Sequence, residues 1–177
     1  MTPPLLLRVH EALAAADIPH ALIGAAALAV HGVSRSTFDQ DLLVTDTGVL
    51  DLRIWDSLAA TAGIDIRRGD YHDPLAGVVR VTADSERDVD VIVGRDDWQR
   101  EIVQEALTHD LRAGAIPVAS PAGLVLLKLY AGGPQDFWDI DQLRAIGGSA
   151  LDAAVNSRVV RLPAPMREVW TRLAFAP

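Results

Sequence analysis

Asp39 and Asp41 stand two residues apart in Phe38-Asp39-Gln40-Asp41-Leu42-Leu43-Val44, where the pattern predicts a strand over 38–45. The period of two puts both carboxylates on one face and Phe38, Gln40, Leu42 and Val44 on the other. Two carboxylates about 4 Å apart repel by roughly 4 kcal/mol at an effective dielectric near 20, so the pair calls for a cation, a proton or an arginine between them. A second pair, Asp88 and Asp90, lies in a predicted strand from Arg87 to Val93, opposite Val89, Val91 and Val93. Three aspartates on neighbouring strands, in a chain without cysteine, describe a hard-cation site, most often magnesium held by carboxylates and a substrate's phosphates. Of two ions bridged by Asp39 and Asp41, one would hold a triphosphate and its leaving group. The other, with Asp90, would lower the pKa of an attacking hydroxyl. In-line attack on the α-phosphate would transfer a nucleoside monophosphate and release pyrophosphate.

The elements that must position these acids follow from periodicity and breakers. Leu6, Val9, Leu13 and Ala14 predict an amphipathic helix within 3–17, ended by Ile18-Pro19, and His20 to Ile23 reads as a short buried strand. Gly24 then turns the chain into a small apolar helix over 25–31 that closes at Gly32. A strand, a glycine turn and a helix N-terminus in that order form a phosphate seat. After the acidic strand, a helix is predicted over 50–62 with Leu52, Trp55, Leu58 and Ala59 as its apolar stripe. Strands follow over 64–68, 78–82 and 87–93, then a helix over 96–108 and one or two short strands within 111–119. Ser120-Pro121 opens a helix that carries Leu124, Leu127, Lys128 and Ala131 on one side and stops at Gly132-Gly133-Pro134. Further helices are expected over 135–145, 149–157 and 165–175, divided by Gly147-Gly148 and Pro163-Ala164-Pro165.

Composition narrows the class. With 177 residues, half of them hydrophobic, the chain can bury one sizeable core. A net charge of −8 argues against a broad nonspecific nucleic-acid footprint while leaving room for a local basic groove drawn from Arg35, Arg67, Arg68, Arg80 and Lys128. The absence of cysteine fits a reducing compartment, and no apolar run reaches the ~18 residues of a membrane span or the pattern of a signal peptide, so a cytoplasmic protein is expected. His20, His31, His72 and His109 show no ligand spacing and read as structural or surface residues. Lys128 on an apolar helix could also snorkel to solvent or pair with Asp136. Trp98, Trp138 and Trp170 read as core or interface anchors rather than base-stacking platforms.

The run Ile23-Gly24-Ala25-Ala26-Ala27-Leu28-Ala29-Val30-His31-Gly32, followed by Arg35-x-Thr37-x-Asp39-x-Asp41-Leu42, resembles the signature of polymerase β-type nucleotidyltransferases. The form is that of the AbiEii/MenT-like toxins of bacterial toxin–antitoxin pairs. Val125 to Pro134, with Lys128, followed by Gln135-Asp136-x-x-Asp139-Ile140, is similar to the lysine-bearing and acidic helices of that family. The resemblance spans roughly residues 18–145. It implies metal ligation by Asp39, Asp41 and Asp90, with Asp90 preferred to Asp88 because the family's third acid precedes apolar strand residues, here Val91-Ile92-Val93. It further implies that Arg35 and Lys128 contact the triphosphate, that Gly24 and Ala25 form the nucleotide turn, that Thr37 orients the strand, and that Asp136 or Asp139 supports Lys128 or the nucleotide. Two positions depart from the pattern: Ala25 stands where glycine or serine is usual, and Gln40 replaces the aliphatic residue between the aspartates. Either would alter nucleotide preference.

The expectation is an α/β nucleotidyltransferase fold, a small mixed sheet flanked by helices, with residues 1–120 as core and 121–177 as a C-terminal helical part packed on it. The function expected is Mg²⁺-dependent transfer of NMP from an NTP to the 3′ end of tRNA, as a toxin held by a cognate antitoxin. Transfer to a protein or to a small molecule such as an antibiotic, and a non-catalytic nucleotide- or partner-binding module, are the alternatives.

Overall fold

Alternation of valine with polar residues sets the middle of the sheet. In β4 (Gly77–Thr82) and β5 (Val89–Val93), Val79, Val81, Val89, Val91 and Val93 are fully buried while the residues between them are half-exposed. Each such valine contributes about 1.5–3 kcal/mol by leaving water, which is enough to fix the register of both strands. The computed structural model describes residues 2–34, 39–112 and 114–174, and all that follows concerns these.

Among the described residues there are seven strands and six α-helices. One mixed sheet takes the order β3-β4-β5-β2-β1-β7-β6, where β1 is His20–Ile23, β2 Gln40–Val44, β3 Gly63–Arg68, β6 Leu107–Leu111 and β7 Gly114–Val118. β2 runs parallel to β5 and antiparallel to β1, β1 is parallel to β7, and the remaining neighbours are antiparallel. The registers put Leu22, Leu42, Val44, Val79, Val81, Val89, Val91 and Val93 on one face. α1 (Leu5–Ala15) contacts β5 and β7, burying Leu5, Leu6, Val9, Ala12 and Leu13. Its His10 Nδ1 is hydrogen-bonded to His20 Nε2 at 2.6 Å, and His20 Nδ1–H donates to the Ile18 carbonyl at 2.8 Å. α3 (Asp97–Gln104) packs on β1 and β2.

Two compact units divide the chain: residues 1–27 with 36–119, and residues 28–35 with 120–177. The first holds the sheet with α1 and α3; α2 (Gly24–Val30) begins in it and runs into the second. The second is built from α4 (Pro121–Ala131), α5 (Pro134–Asn156) and α6 (Ala164–Ala174). Ser120 caps α4 by accepting the Gly123 N–H at 3.1 Å, and Gly132 closes it, as the sequence predicts. Trp170 is buried, donates to Asn156 Oδ1 at 2.7 Å and lies 5.5 Å beneath the Arg144 guanidinium, itself paired with Asp152 at 2.9 Å.

Two expectations are corrected. The helix predicted over 50–62 is two short 3₁₀ turns, Thr47–Leu50 and Leu52–Trp55, followed by turns. Asp46 and Asp51 each accept the backbone N–H two residues on, from Gly48 at 2.7 Å and Arg53 at 3.0 Å, which holds Asp51 extended where a helix needs it coiled. Trp55 and Leu58 are buried as expected, but Leu52 points outward. The helix predicted over 96–108 stops at Gln104, and Leu107 to Leu111 instead form the edge strand β6 paired along β7. The division expected at Gly147-Gly148 is present: Gly148 takes φ 55° and ψ −149°, a non-helical break at which α5 kinks into two helical segments.

Candidate active site

The acids gather where β1 ends and β2 begins. Gly24, the residue after β1, has φ +63°. A Cβ there would collide with the Asp41 carboxylate, its Cγ 3.1 Å away and its Cβ 3.3 Å. Glycine therefore supplies both the left-handed turn and the volume the Asp41 side chain occupies. Ala25, next in the chain, is buried in the first turn of α2.

The sheet register builds the rest. Asp41 on β2 faces Asp90 on β5, Asp90 faces Arg80 on β4, and Asp41 faces Ile23 on β1, making one row across four strands. These side chains share the face opposite the buried valines. Arg80 Nε and Nη2 donate to Asp90 Oδ1 and Oδ2 at 2.8 and 2.6 Å, a bidentate pair. Arg80 Nη2 also lies 3.9 Å from Asp39 Oδ2. The hydrogen bonds and charge of Asp90 hold the Arg80 guanidinium above its ordinary range, and Asp39 and Asp88 add to the effect. The Asp90 side chain is 15% exposed and that of Asp39 48%, so the Arg80–Asp90 pair is covered while Asp39 faces solvent. Asp88 lies just before β5, its carbonyl accepting the Gln40 N–H at 3.0 Å. Of the two acids the sequence offers there, Asp90 is the one that stands across from Asp41. Gln40 is half-buried at the start of β2.

Carboxylate oxygens suit a hard cation, and Asp39 and Asp41 could supply them. Both oxygens of Asp90 are committed to Arg80. Among the described residues no group of three or more histidine, aspartate or glutamate side chains is arranged to hold a metal ion.

A second cluster lies within the helical unit. Lys128 on α4 donates to Asp136 at 2.8 Å and pairs with Asp139 Oδ2 at 2.8 Å, both on the first turns of α5. Asp139 is fully buried and the Lys128 side chain is 14% exposed. Asp136 also accepts the Gly133 N–H at 3.0 Å, capping α5. The Lys128–Asp136 pairing weighed from sequence is thus present, extended by Asp139, and the ammonium is held by two carboxylates.

The structure therefore brings Gly24, Asp39, Asp41 and Asp90 together in the sheet unit, and Lys128, Asp136 and Asp139 together in the helical unit. Arg35 and Thr37 lie outside the described residues. The residue that sequence reasoning did not place at the site is Arg80, which reads from sequence only as a basic-groove candidate. The available signal was the hairpin register: aligning the buried valines of 77–82 with those of 89–93 puts Arg80 opposite Asp90.

No family model and no curated protein sequence matches the chain. Solved structures do resemble it. The antibiotic-resistance factor ANT(2'')-Ia, in complex with adenylyl-2''-tobramycin, is similar at 14% identity with a TM-score of 0.56, over 89% of this chain and 96% of that one. A lincomycin-bound lincosamide antibiotic adenylyltransferase is similar at 12% identity and TM-score 0.51, over 82% of this chain and 99% of its own. An antigenic nucleotidyltransferase-like protein from Paracoccidioides brasiliensis is similar at 16% identity and TM-score 0.51, over 93% and 89%. The fold is that of the nucleotidyltransferases, as expected from sequence. No described helix is long and apolar enough to cross a membrane.

Proposed function

We propose that this chain transfers a nucleoside monophosphate from an NTP to an acceptor hydroxyl. The observation that carries the reading is the row Arg80-Asp90-Asp41, set across neighbouring strands beside the Gly24 turn, in a chain with a nucleotidyltransferase fold. Asp39 and Asp41 would hold Mg²⁺, which supplies charge neutralisation at the phosphates and acidifies an attacking hydroxyl. Asp41 is fixed by its fit against Gly24, so its carboxylate needs little reorganisation on binding. Asp90, oriented from both oxygens by Arg80, faces the same site as the candidate third acid. The sequence resemblance gives Lys128, held by Asp136 and Asp139 within the helical unit, as a contact of the triphosphate.

The acceptor follows from the sequence resemblance: the 3′ end of tRNA, in a cytoplasmic toxin restrained by an antitoxin protein. A second reading, a small-molecule hydroxyl, is favoured by the likeness to two enzymes that act on antibiotics. The protein incubated with α-labelled NTPs and Mg²⁺ should label purified tRNA, with periodate-treated tRNA left unlabelled because its 3′ hydroxyls are gone. Label appearing instead on aminoglycosides or lincosamides moves the chain to the second reading, and label on no acceptor rejects the transfer.

A further inference from the structure

The sheet ends at β3, which pairs on one side with β4; among the described residues no strand lies on its other side. The Gly69 N–H donates to the Ala76 carbonyl at 2.9 Å, in the same register as β3 and β4. By alternation, Gly63, Asp65 and Arg67 bond toward β4, while the N–H and C=O groups of Ile64, Ile66 and Arg68 point to the outer edge. Ile64 and Ile66 lie across from Val81 and Val79, so they carry the buried-valine face out to that edge. Both are half-exposed there, beside Leu52, which is 59% exposed. Asp65 and Arg67 stand on the opposite face with side chains 60% and 78% exposed, and Arg67 Nε donates to Asp65 Oδ2 at 3.2 Å, an ion pair that water screens.

Charged side chains on an edge strand ordinarily bar another strand from pairing there. Here their order admits one. A second β3, running antiparallel about a twofold axis at Ile66, sets Ile66 against Ile66 and Ile64 against Arg68. It also sets Asp65 of each chain against Arg67 of the other, at the non-hydrogen-bonded positions where facing side chains come closest. Sliding one strand by two residues moves the axis to Asp65 or to Arg67 and brings like charges face to face, so the charges select a single register. We propose that the β3 edge is an interface between two copies of this chain, paired antiparallel about Ile66 into one continuous sheet. The pairing covers Ile64 and Ile66 and brings the partner's Arg67 opposite Asp65, itself the cross-strand neighbour of Arg80. It needs neither nucleotide nor metal.

Sedimentation velocity of the full-length protein, at rising concentration and without nucleotide, reads the association. Wild type should reach the mass of two chains. Arg67→Asp meets Asp65 with a second aspartate, and Asp65→Arg meets Arg67 with a second arginine. Each variant alone should therefore sediment as a single chain, its dissociation constant raised roughly tenfold or more. Mixed in equal amounts, the two variants should pair, because one strand then carries two arginines and the other two aspartates. Neither a loss of fold nor an interface elsewhere on the molecule reproduces that rescue. Circular dichroism establishes that each variant is folded, and should Asp65→Arg fail to fold opposite Arg80, wild type and Arg67→Asp decide. A wild type that stays a single chain, folded single variants that dimerise as wild type does, or two folded variants that remain apart when mixed would overturn the inference.

Discussion

At the scale of single residues, the site depends on what Gly24 lacks. Gly24→Ala must place a methyl group against the Asp41 carboxylate at a φ of +63°, so either the turn or Asp41 moves. A cost of about 1–3 kcal/mol in stability and at least a hundredfold loss of transfer are expected, measured by urea unfolding and by labelled-nucleotide incorporation. Full activity in Gly24→Ala would show that Asp41 does not act from the position described. Lys128 tests the second cluster. Lys128→Met strips the compensating charge from the fully buried Asp139, and a loss of about 2–4 kcal/mol is expected, below the fully buried limit because Lys128 and Asp136 keep some contact with solvent. Adding Asp139→Asn should recover at least half of that stability without recovering transfer. Recovery of both would make Lys128 purely structural.

At the scale of elements, α1 is tied to β1 through the His10–His20 hydrogen bond, and this tie is sensitive to acid. Burial lowers both pKa values from 6.5; the Ile18 carbonyl opposes the shift at His20 and Glu11 opposes it at His10. Between the folded values and 6.5 the unfolded chain binds more protons, so the contribution is complete above pH 6.5 and is lost as pH falls through the folded values. Urea midpoints should fall between pH 7.5 and about 5.5, and fall less in His20→Asn; an equal fall in both would contradict the account. The strands were legible because alternation of valine with polar residues is a direct record of one buried face. The helix over 50–62 was not, because Leu52, Trp55 and Leu58 keep helical spacing while Asp46 and Asp51 bend the backbone into local turns ahead of them. β6 was misread as the end of α3 because its edge position leaves Leu107 and Thr108 exposed and erases the alternation.

At the scale of the whole molecule, residues far apart in sequence become neighbours through strand order. Placing β2 between β1 and β5 sets Asp41 beside both Gly24 and Asp90, although 17 and 49 positions separate them in the chain. The Asp-x-Asp spacing offered two candidate acids outright, and Asp88-x-Asp90 offered two more, of which the register sets Asp90 across from Asp41. What spacing could not show is pairing: nothing local to Arg80 shows that it meets Asp90 and not solvent, because that contact exists only once β4 and β5 are in register. The central claim is that this row performs nucleotidyl transfer, and its most direct test is a comparison of wild type with Asp41→Asn. Asn is nearly isosteric, so the fit against Gly24 and the fold should survive, while the charge that would hold the cation is lost. With Mg²⁺, α-labelled NTP and an accepting tRNA or antibiotic, wild type should incorporate label and release pyrophosphate in equal amounts, and Asp41→Asn, with an unchanged circular dichroism spectrum, should be at least a hundredfold slower. Incorporation by Asp41→Asn at the wild-type rate would contradict the account.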